Sequence, residues 1–235
     1  MTKSLLESTL RLATCALFVA AVSTLEAQIT KQNLDLPYDA IGDGEDEEDA
    51  PEIVTFYGTT LEGDGFFYVI DRSGSMQTSG ELQIAKREVT KNITEFSDRV
   101  QFGIFFIDAG LKKFPAGGQP AEANPGMKGS AISFLQATQG GSGSCCQAGF
   151  VQALRMANQA SAPRKVIVYV GDGGGTCNGA DETQYLQQTL GAVSAQNYQR
   201  AIVNTIGVLD VNQLRENFLR ALAGANGGTY TFITK

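Results

Sequence analysis

The sequence predicts an α/β protein: a Rossmann-like three-layer α/β/α sandwich with a mostly parallel central sheet. Short apolar runs alternate with amphipathic segments, and this alternation is typical of parallel strands joined by helices. Of the 235 residues 43% are hydrophobic, which is enough for a packed core. A short run at residues 111–114 follows a strand across a turn, which predicts one antiparallel strand at the edge of the sheet.

The order of the elements follows from the spacing of the apolar residues. Residues 66–70 are continuously apolar, which predicts a buried central strand. Leu82, Ala85 and Val89 recur at steps of three and four, which predicts an amphipathic helix over residues 81–96. The other predicted strands cover residues 53–57, 100–107, 165–170, 201–208 and 229–233, and the other predicted helices cover residues 131–137, 147–160 and 181–193 and a last segment with Asp210 as its N-cap.

The N-terminus is predicted to be a secretory signal. Lys3 and Arg11 precede an apolar stretch at residues 12–22 that is too short to span a bilayer comfortably. We therefore expect residues 1–27 to form a signal peptide, with an uncleaved N-terminal anchor as the alternative.

An acidic segment separates this signal from the folded domain. Residues 35–52 contain nine acidic residues and no basic ones, so residues 28–52 are predicted to be a disordered leader. The domain itself is expected over residues 53–235, without a membrane span once the signal is cleaved. The acidic run also argues against electrostatic attachment to anionic membranes.

The composition excludes several classes of function. The chain contains no histidine, which removes Ser-His-Asp and Cys-His nucleophile systems and nearly every usual zinc site. The glycine-rich signatures of phosphate loops and of dinucleotide-binding turns do not occur. The net charge is −7, and no basic patch indicates a nucleic-acid partner. These absences remove most classes of enzyme.

Oxygen-bearing side chains follow two of the predicted strands. Asp71, Ser73 and Ser75 come directly after the apolar run of the central strand, and Asp172 follows the later run at residues 165–170. The carboxyl ends of parallel strands meet at one edge of a sheet, where open α/β sheets bind their ligands. Carboxylate and hydroxyl oxygens suit a hard divalent cation, Mg²⁺ above all.

This pattern resembles the von Willebrand factor type A (vWA) domain family, over residues 53–235. The family carries a metal-ion-dependent adhesion site (MIDAS) written Asp-x-Ser-x-Ser, then a Thr, then an Asp, in three separate loops. Asp71, Ser73 and Ser75 match the first element, and Asp172 matches the third. The antiparallel edge strand predicted above agrees with the sheet of this family.

The second element of the MIDAS is less direct. In the family, the Thr is followed five and six residues later by a small residue and a large apolar one. Gly149 and Phe150 occupy these places and select Ser144, with Ser142 as the alternative register. Serine keeps the hydroxyl oxygen of the family's Thr but lacks the methyl group that fixes its rotamer, and this departure bears on metal affinity.

The resemblance implies a function as well as a fold, namely that of a binding protein and not an enzyme. Asp71, Ser73, Ser75, Ser144 and Asp172 are expected to hold Mg²⁺, or Mn²⁺ or Ca²⁺ in its place. A Glu or Asp of a protein partner is expected to complete the coordination of the cation, in a protein that is secreted, periplasmic or on the cell surface. Arg72 is expected to be a solvated charge on the rim of the site.

Two other functions remain open at this point. A Mg²⁺-dependent phosphatase or hydrolase would use Asp71 as its nucleophile. Aspartyl phosphatases of the haloacid dehalogenase type normally carry a second Asp where this chain has Ser73. A scaffold with a purely structural metal is the other alternative.

The cysteines are expected to form one disulfide. An exported chain without its signal keeps Cys145, Cys146 and Cys177, and thiols tend to pair in an oxidising compartment. Because Ser144 and Asp172 are expected to share one cation, either Cys145 or Cys146 should reach Cys177. Three free thiols are the alternative.

Overall fold

The computed structural model describes residues 50–175, 177–209 and 211–234. The predicted signal peptide and residues 28–49 of the predicted leader lie outside the described residues, and so does Asp210. The described residues confirm the predicted three-layer α/β/α sandwich with a mostly parallel central sheet.

The strands are, in chain order, β1 (Glu52–Phe56), β2 (Thr59–Gly63), β3 (Gly65–Asp71), β4 (Gln101–Ile107), β5 (Leu111–Phe114), β6 (Ala121–Glu122), β7 (Lys165–Gly171), β8 (Ile202–Val208) and β9 (Tyr230–Ile233). The helices are α1 (Gly74–Thr78), α2 (Glu81–Glu95), α3 (Pro125–Ala137), α4 (Cys146–Ala157), α5 (Glu182–Gln196) and α6 (Gln213–Ala225), with a 3₁₀ turn at Cys177–Gly179. Within the described ranges, no helix combines the length and the apolarity needed to cross a membrane.

The sheet has the order β5-β4-β3-β7-β8-β9, and β6 pairs with β4. The central strand β3 runs parallel to both β4 and β7, while β5 and β6 are antiparallel to β4. β1 and β2 form a separate antiparallel hairpin. The parallel pairing brings the carboxyl ends of β3, β4 and β7 to the same edge of the sheet.

The side chains of β3 fill the core on both faces of the sheet. Phe66, Tyr68 and Ile70 pack with apolar residues of α1, α2 and α3 and of the hairpin. Phe67 and Val69 point to the opposite face and pack with α4, α5 and α6. This two-residue alternation explains why the strand is apolar throughout, since each of its faces is covered by helices.

Some helix boundaries differ from the sequence prediction. α3 begins at Pro125, six residues before the predicted start, because Asn124 caps it: the Asn124 side chain accepts a hydrogen bond from Met127 N at 3.0 Å. The N-cap of α6 is Asn212, whose Oδ1 accepts from Arg215 N at 3.0 Å, so the assignment of this role to Asp210 was wrong. The sequence analysis also did not predict β2, β6 or α1.

Candidate metal centre

Asp71 is the last residue of β3 and lies at the centre of the candidate site. Its side chain is buried between the ends of β4 and β7. Oδ1 accepts a hydrogen bond from Ser73 N at 2.7 Å, and Oδ2 accepts one from Ser144 Oγ at 3.3 Å. The carboxylate therefore joins the first loop of the site to the second.

Ser73 and Ser75 lie in the turn from β3 into α1. Their hydroxyl oxygens are 3.0 Å apart. Ser73 holds the N-cap position of α1, but its side chain makes no capping hydrogen bond. The hydroxyl is thus not used to cap the helix, which is the usual structural role of a serine at this position.

Ser144 lies two residues before α4 and faces Asp71. Its Oγ is 2.8 Å from Gly174 O and 3.3 Å from Asp71 Oδ2. Ser142, the alternative register, is exposed, and its backbone carbonyl accepts from Ala109 N at 2.7 Å. The structure therefore places Ser144 beside Asp71 and Ser142 at the surface.

Asp172 follows directly on β7. Its Oδ1 accepts a hydrogen bond from Gly174 N at 2.8 Å, and its Oδ2 is 3.2 Å from Arg215 Nη1. The close approach of this loop to the first one depends on Gly171, since a Cβ atom there would lie 2.6 Å from Asp71 Cβ. A larger residue at this position would push the two loops apart.

The electrostatics of the site show that two carboxylates share a confined space. Burial, which is the largest cause, and the negative charge of Asp172 together raise the pKa of Asp71 to about 7, although the hydrogen bonds from Ser73 and Ser144 oppose this rise. A nearby cation would favour the ionised carboxylate. The five predicted residues thus converge on an oxygen-only set of two carboxylates and three hydroxyls, whose chemistry fits a hard divalent cation.

A disulfide joins two of the loops that carry these residues. Cys145 bonds to Cys177, with their Cα atoms 4.8 Å apart, and Cys146 is a buried free thiol. This confirms the predicted bridge between Cys177 and one of the vicinal cysteines. The bridge ties the loop between α3 and α4 (residues 138–145, the Ser144 loop) to the loop after Asp172.

The prediction for Arg72 was wrong. Arg72 is 9% exposed and forms an ion pair with Asp108, which follows β4. Its Nη1 also donates to Gln139 O at 2.8 Å, and its backbone carbonyl accepts from Gly141 N at 2.7 Å. Arg72 therefore points inward and holds the Ser144 loop against the end of β4.

The sequence analysis missed Asp108, Glu182 and Arg215. Asp108 carried a usable signal, because it stands at the carboxyl end of an apolar run, as Asp71 and Asp172 do. Arg215 lies in the first turn of α6, and its contact with Asp172 spans 43 residues of sequence. No local pattern indicates such a contact.

No protein-family model and no curated protein sequence matches the chain. Solved structures share its fold. A von Willebrand factor type A protein from Catenulispora acidiphila is 19% identical, with a TM-score of 0.64 over 79% of this chain and 46% of that one. The pilus adhesin SpaC from Lactobacillus rhamnosus GG, in its open conformation, is 14% identical, with a TM-score of 0.60 over 79% and 29% of the two chains.

A third structure is an isolated domain of similar size. The vWF domain of the type V pili tip protein Mfa5 from Porphyromonas gingivalis is 12% identical, with a TM-score of 0.58 over 77% of this chain and 90% of that one. This chain thus has the vWA fold that the sequence predicted. It spans less than half the length of the Catenulispora protein and of SpaC.

Proposed function

We propose that this protein is an exported adhesion protein whose vWA-fold domain binds an acidic side chain of a protein partner through a Mg²⁺ ion. The cation is held by Asp71, Ser73, Ser75, Ser144 and Asp172, and Mn²⁺ or Ca²⁺ can take its place. The observation that carries this proposal is the meeting of three loops around Asp71, through its hydrogen bonds to Ser73 and Ser144 and its charge coupling to Asp172.

The donor set supports a role in ligand binding. Mg²⁺ prefers oxygen ligands in an octahedral arrangement and usually keeps several waters when a protein holds it. When bound, it supplies a Lewis-acidic position at which a carboxylate oxygen of the partner can replace a water. The chain's own residues fix the place of that position at the exposed edge of the sheet, where Ser75 is open to solvent.

The hydrolase alternative finds less support. A nucleophilic Asp71 has to present a carboxylate oxygen to its substrate. The Asp71 side chain is 0% exposed, and both of its oxygens accept hydrogen bonds. With no histidine anywhere in the chain, the usual general base for activating water is also missing.

An exported location agrees with the comparisons and with the sequence. Two of the structures that share the fold are described as a pilus adhesin and a pilus tip protein. The predicted signal peptide at residues 1–27 and the disulfide in the domain point to the same oxidising compartment.

Calorimetry of Mg²⁺ binding to the full chain tests the metal proposal. We expect binding at millimolar Mg²⁺ or below and a rise in melting temperature, because the cation binds the folded state. Ser144→Ala is expected to weaken binding about tenfold or more, as the loss of one ordered oxygen at a metal site typically does. Ser142→Ala is the matched control and should bind as the wild type does.

The outcomes separate the alternatives. Absence of both heat and thermal shift with the wild type would refute the metal site. Equal losses in the Ser142 and Ser144 variants would refute the assignment of the second element. Mg²⁺-dependent hydrolysis of para-nitrophenyl phosphate that disappears in Asp71→Asn would favour the hydrolase.

A further inference from the structure

Arg215 is a cation built into the edge of the candidate site. It lies in the first turn of α6 and reaches across to the loop after β7. Its Nη1 is 3.2 Å from Asp172 Oδ2, and its Nε donates to Glu182 Oε1 at 2.8 Å. One guanidinium thus bridges two carboxylates, one of which is a predicted metal ligand.

The backbone is shaped to admit this side chain. A Cβ atom on Gly174 would lie 2.8 Å from Arg215 Cζ, so a larger residue there would displace the guanidinium from its observed position. Glu182 Oε1 also accepts from Gly175 N at 3.3 Å, which anchors the carboxylate that holds Arg215. The Arg215 side chain is 24% exposed and is fixed by partners on two elements.

The positive charge of Arg215 acts in opposite directions on the two groups that the site would bind, the metal ion and the partner's carboxylate. Asp71 and Asp172 carry two negative charges, which a divalent cation neutralises. Arg215 adds a positive charge one carboxylate away from that cation. By Coulomb's law, Arg215 then repels the incoming metal ion and attracts the partner's carboxylate, which binds after the metal.

We propose that Arg215 sets the balance between the two binding steps: it weakens the hold of the site on the metal ion and strengthens the hold of the metal-loaded site on the partner's carboxylate. This inference rests on the function proposed above. It makes Arg215 a residue that tunes affinity through Asp172.

The first experiment uses the metal alone. In calorimetry of the full chain, Arg215→Gln is expected to bind Mg²⁺ at least about tenfold more tightly than the wild type, because a unit positive charge near a divalent cation repels it by about that factor even at the dielectric constant of water. Arg215→Lys keeps the charge and should stay near the wild type. Arg220→Gln is the matched control, because it removes an arginine of the same helix that pairs with Glu216, and it should leave Mg²⁺ affinity unchanged.

Loss of Arg215 also leaves Glu182 without its partner, which adds a second source of tighter metal binding. The Arg215→Gln, Glu182→Gln double variant removes this contribution. It should still bind Mg²⁺ more tightly than the Glu182→Gln single variant, because these two proteins differ only in the charge at position 215. A double variant equal to Glu182→Gln would assign the effect to Glu182 and overturn the inference.

The second experiment uses acetate as the carboxylate probe and Mn²⁺ as the metal. Paramagnetic Mn²⁺ broadens the methyl proton signal of acetate that binds beside it. At saturating Mn²⁺, Arg215→Gln should bind acetate several-fold more weakly than the wild type and than Arg220→Gln. If Arg215 had a purely structural role, its loss would weaken the binding of both metal and acetate or of neither. The proposal instead requires metal to bind more tightly and acetate more weakly.

The failures are distinguishable. A wild type that does not bind Mg²⁺ or Mn²⁺ refutes the proposed function itself. A wild type that binds metal, together with an Arg215→Gln variant of equal or lower metal affinity, refutes only the role of Arg215. Acetate binding that is unchanged or stronger in that variant refutes the second half of the inference.

Discussion

Two arginine–carboxylate pairs flank the candidate site, and they differ in burial and in what they hold. In the Arg72–Asp108 pair 10% and 11% of the two side chains are exposed, and neither residue is a predicted metal ligand. In the Arg215–Asp172 pair 24% and 15% are exposed, and Asp172 is a predicted ligand. The first pair should therefore act mainly on stability and the second mainly on affinity, since a stranded charge costs more the deeper it is buried.

The Ser144 loop lies between these pairs and is fixed on both sides by different means. On the β4 side Arg72 holds it by hydrogen bonds to Gln139 and Gly141. On the β7 side the Cys145–Cys177 disulfide holds it covalently. The second loop of the site, which has the weakest match to the family motif, is therefore held in place by residues outside that motif.

The largest expected effect comes from the buried pair. Arg72→Ala should lower the free energy of unfolding by about 3–5 kcal/mol, because it leaves the Asp108 carboxylate buried and unpaired. Urea denaturation in EDTA measures this loss without a metal contribution. Arg220→Ala, which breaks an exposed i,i+4 pair, should cost about 1 kcal/mol or less.

A double variant sharpens this prediction. Arg72→Ala with Asp108→Ala removes the stranded charge, so it should recover part of the stability lost in Arg72→Ala. If the free energy of unfolding of Arg72→Ala is within about 1 kcal/mol of the wild-type value, the Arg72–Asp108 pair is no stronger than a surface pair. The contrast between the two pairs then fails.

Asp71 stands between the two pairs and is held by Ser73 and Ser144, not by an arginine. Because its pKa rises from 3.8 to about 7 on folding, the folded state holds its proton more tightly than the unfolded state does. The stability from this group is fully present below about pH 4 and is lost as the pH rises towards 7. At about 1.36 kcal/mol for each unit of pKa, the loss is up to about 4 kcal/mol.

The measurement compares the wild type with Asp71→Asn in EDTA between pH 4 and pH 8. The wild type should lose stability relative to the variant as the pH rises, and saturating Mg²⁺ should reverse the difference at neutral pH. If the curves of stability against pH ran parallel for the two proteins, other groups would already stabilise the ionised Asp71 carboxylate in the metal-free state.

The disulfide should have a somewhat smaller effect on stability and a clear one on metal binding. Cys145→Ser with Cys177→Ser opens a cross-link between residues 32 apart in sequence, which should cost about 3 kcal/mol. Mg²⁺ affinity should also fall, because the Ser144 and Asp172 loops are no longer joined. Peptide mapping of the wild type should find Cys146 as a free thiol, and three free cysteines would refute the bridge.

Much of the fold followed from local sequence patterns. The continuous apolar run of β3 and the three- and four-residue steps of α2 predicted both elements to within a residue or two of their observed bounds. The start of α3 was predicted at residue 131, with Pro125 left outside the helix. Pro125 instead fills the first helical position behind the Asn124 cap, a place where its missing N–H costs nothing.

The predicted site residues converge because the carboxyl ends of parallel strands lie at the same edge of the sheet. Asp71 and Asp172 were predicted to lie close together from their positions after apolar strands alone, and the structure brings the charge of Asp172 near enough to raise the pKa of Asp71. The side-chain direction of Arg72 could not be predicted this way. It depends on Asp108, 36 residues further on, which supplies the charge that draws it inward.

The sequence by itself determined the alternation of strands and helices, the oxygen donors at the strand ends and the exclusion of histidine chemistry, because each depends on residue identity and short-range spacing. Only the tertiary structure decided that Cys145, not Cys146, bonds to Cys177 and that Arg215 bridges Asp172 and Glu182. These contacts join segments that are 32 to 43 residues apart. Their geometry is set by how the loops pack over the edge of the sheet, and no local pattern in the chain encodes it.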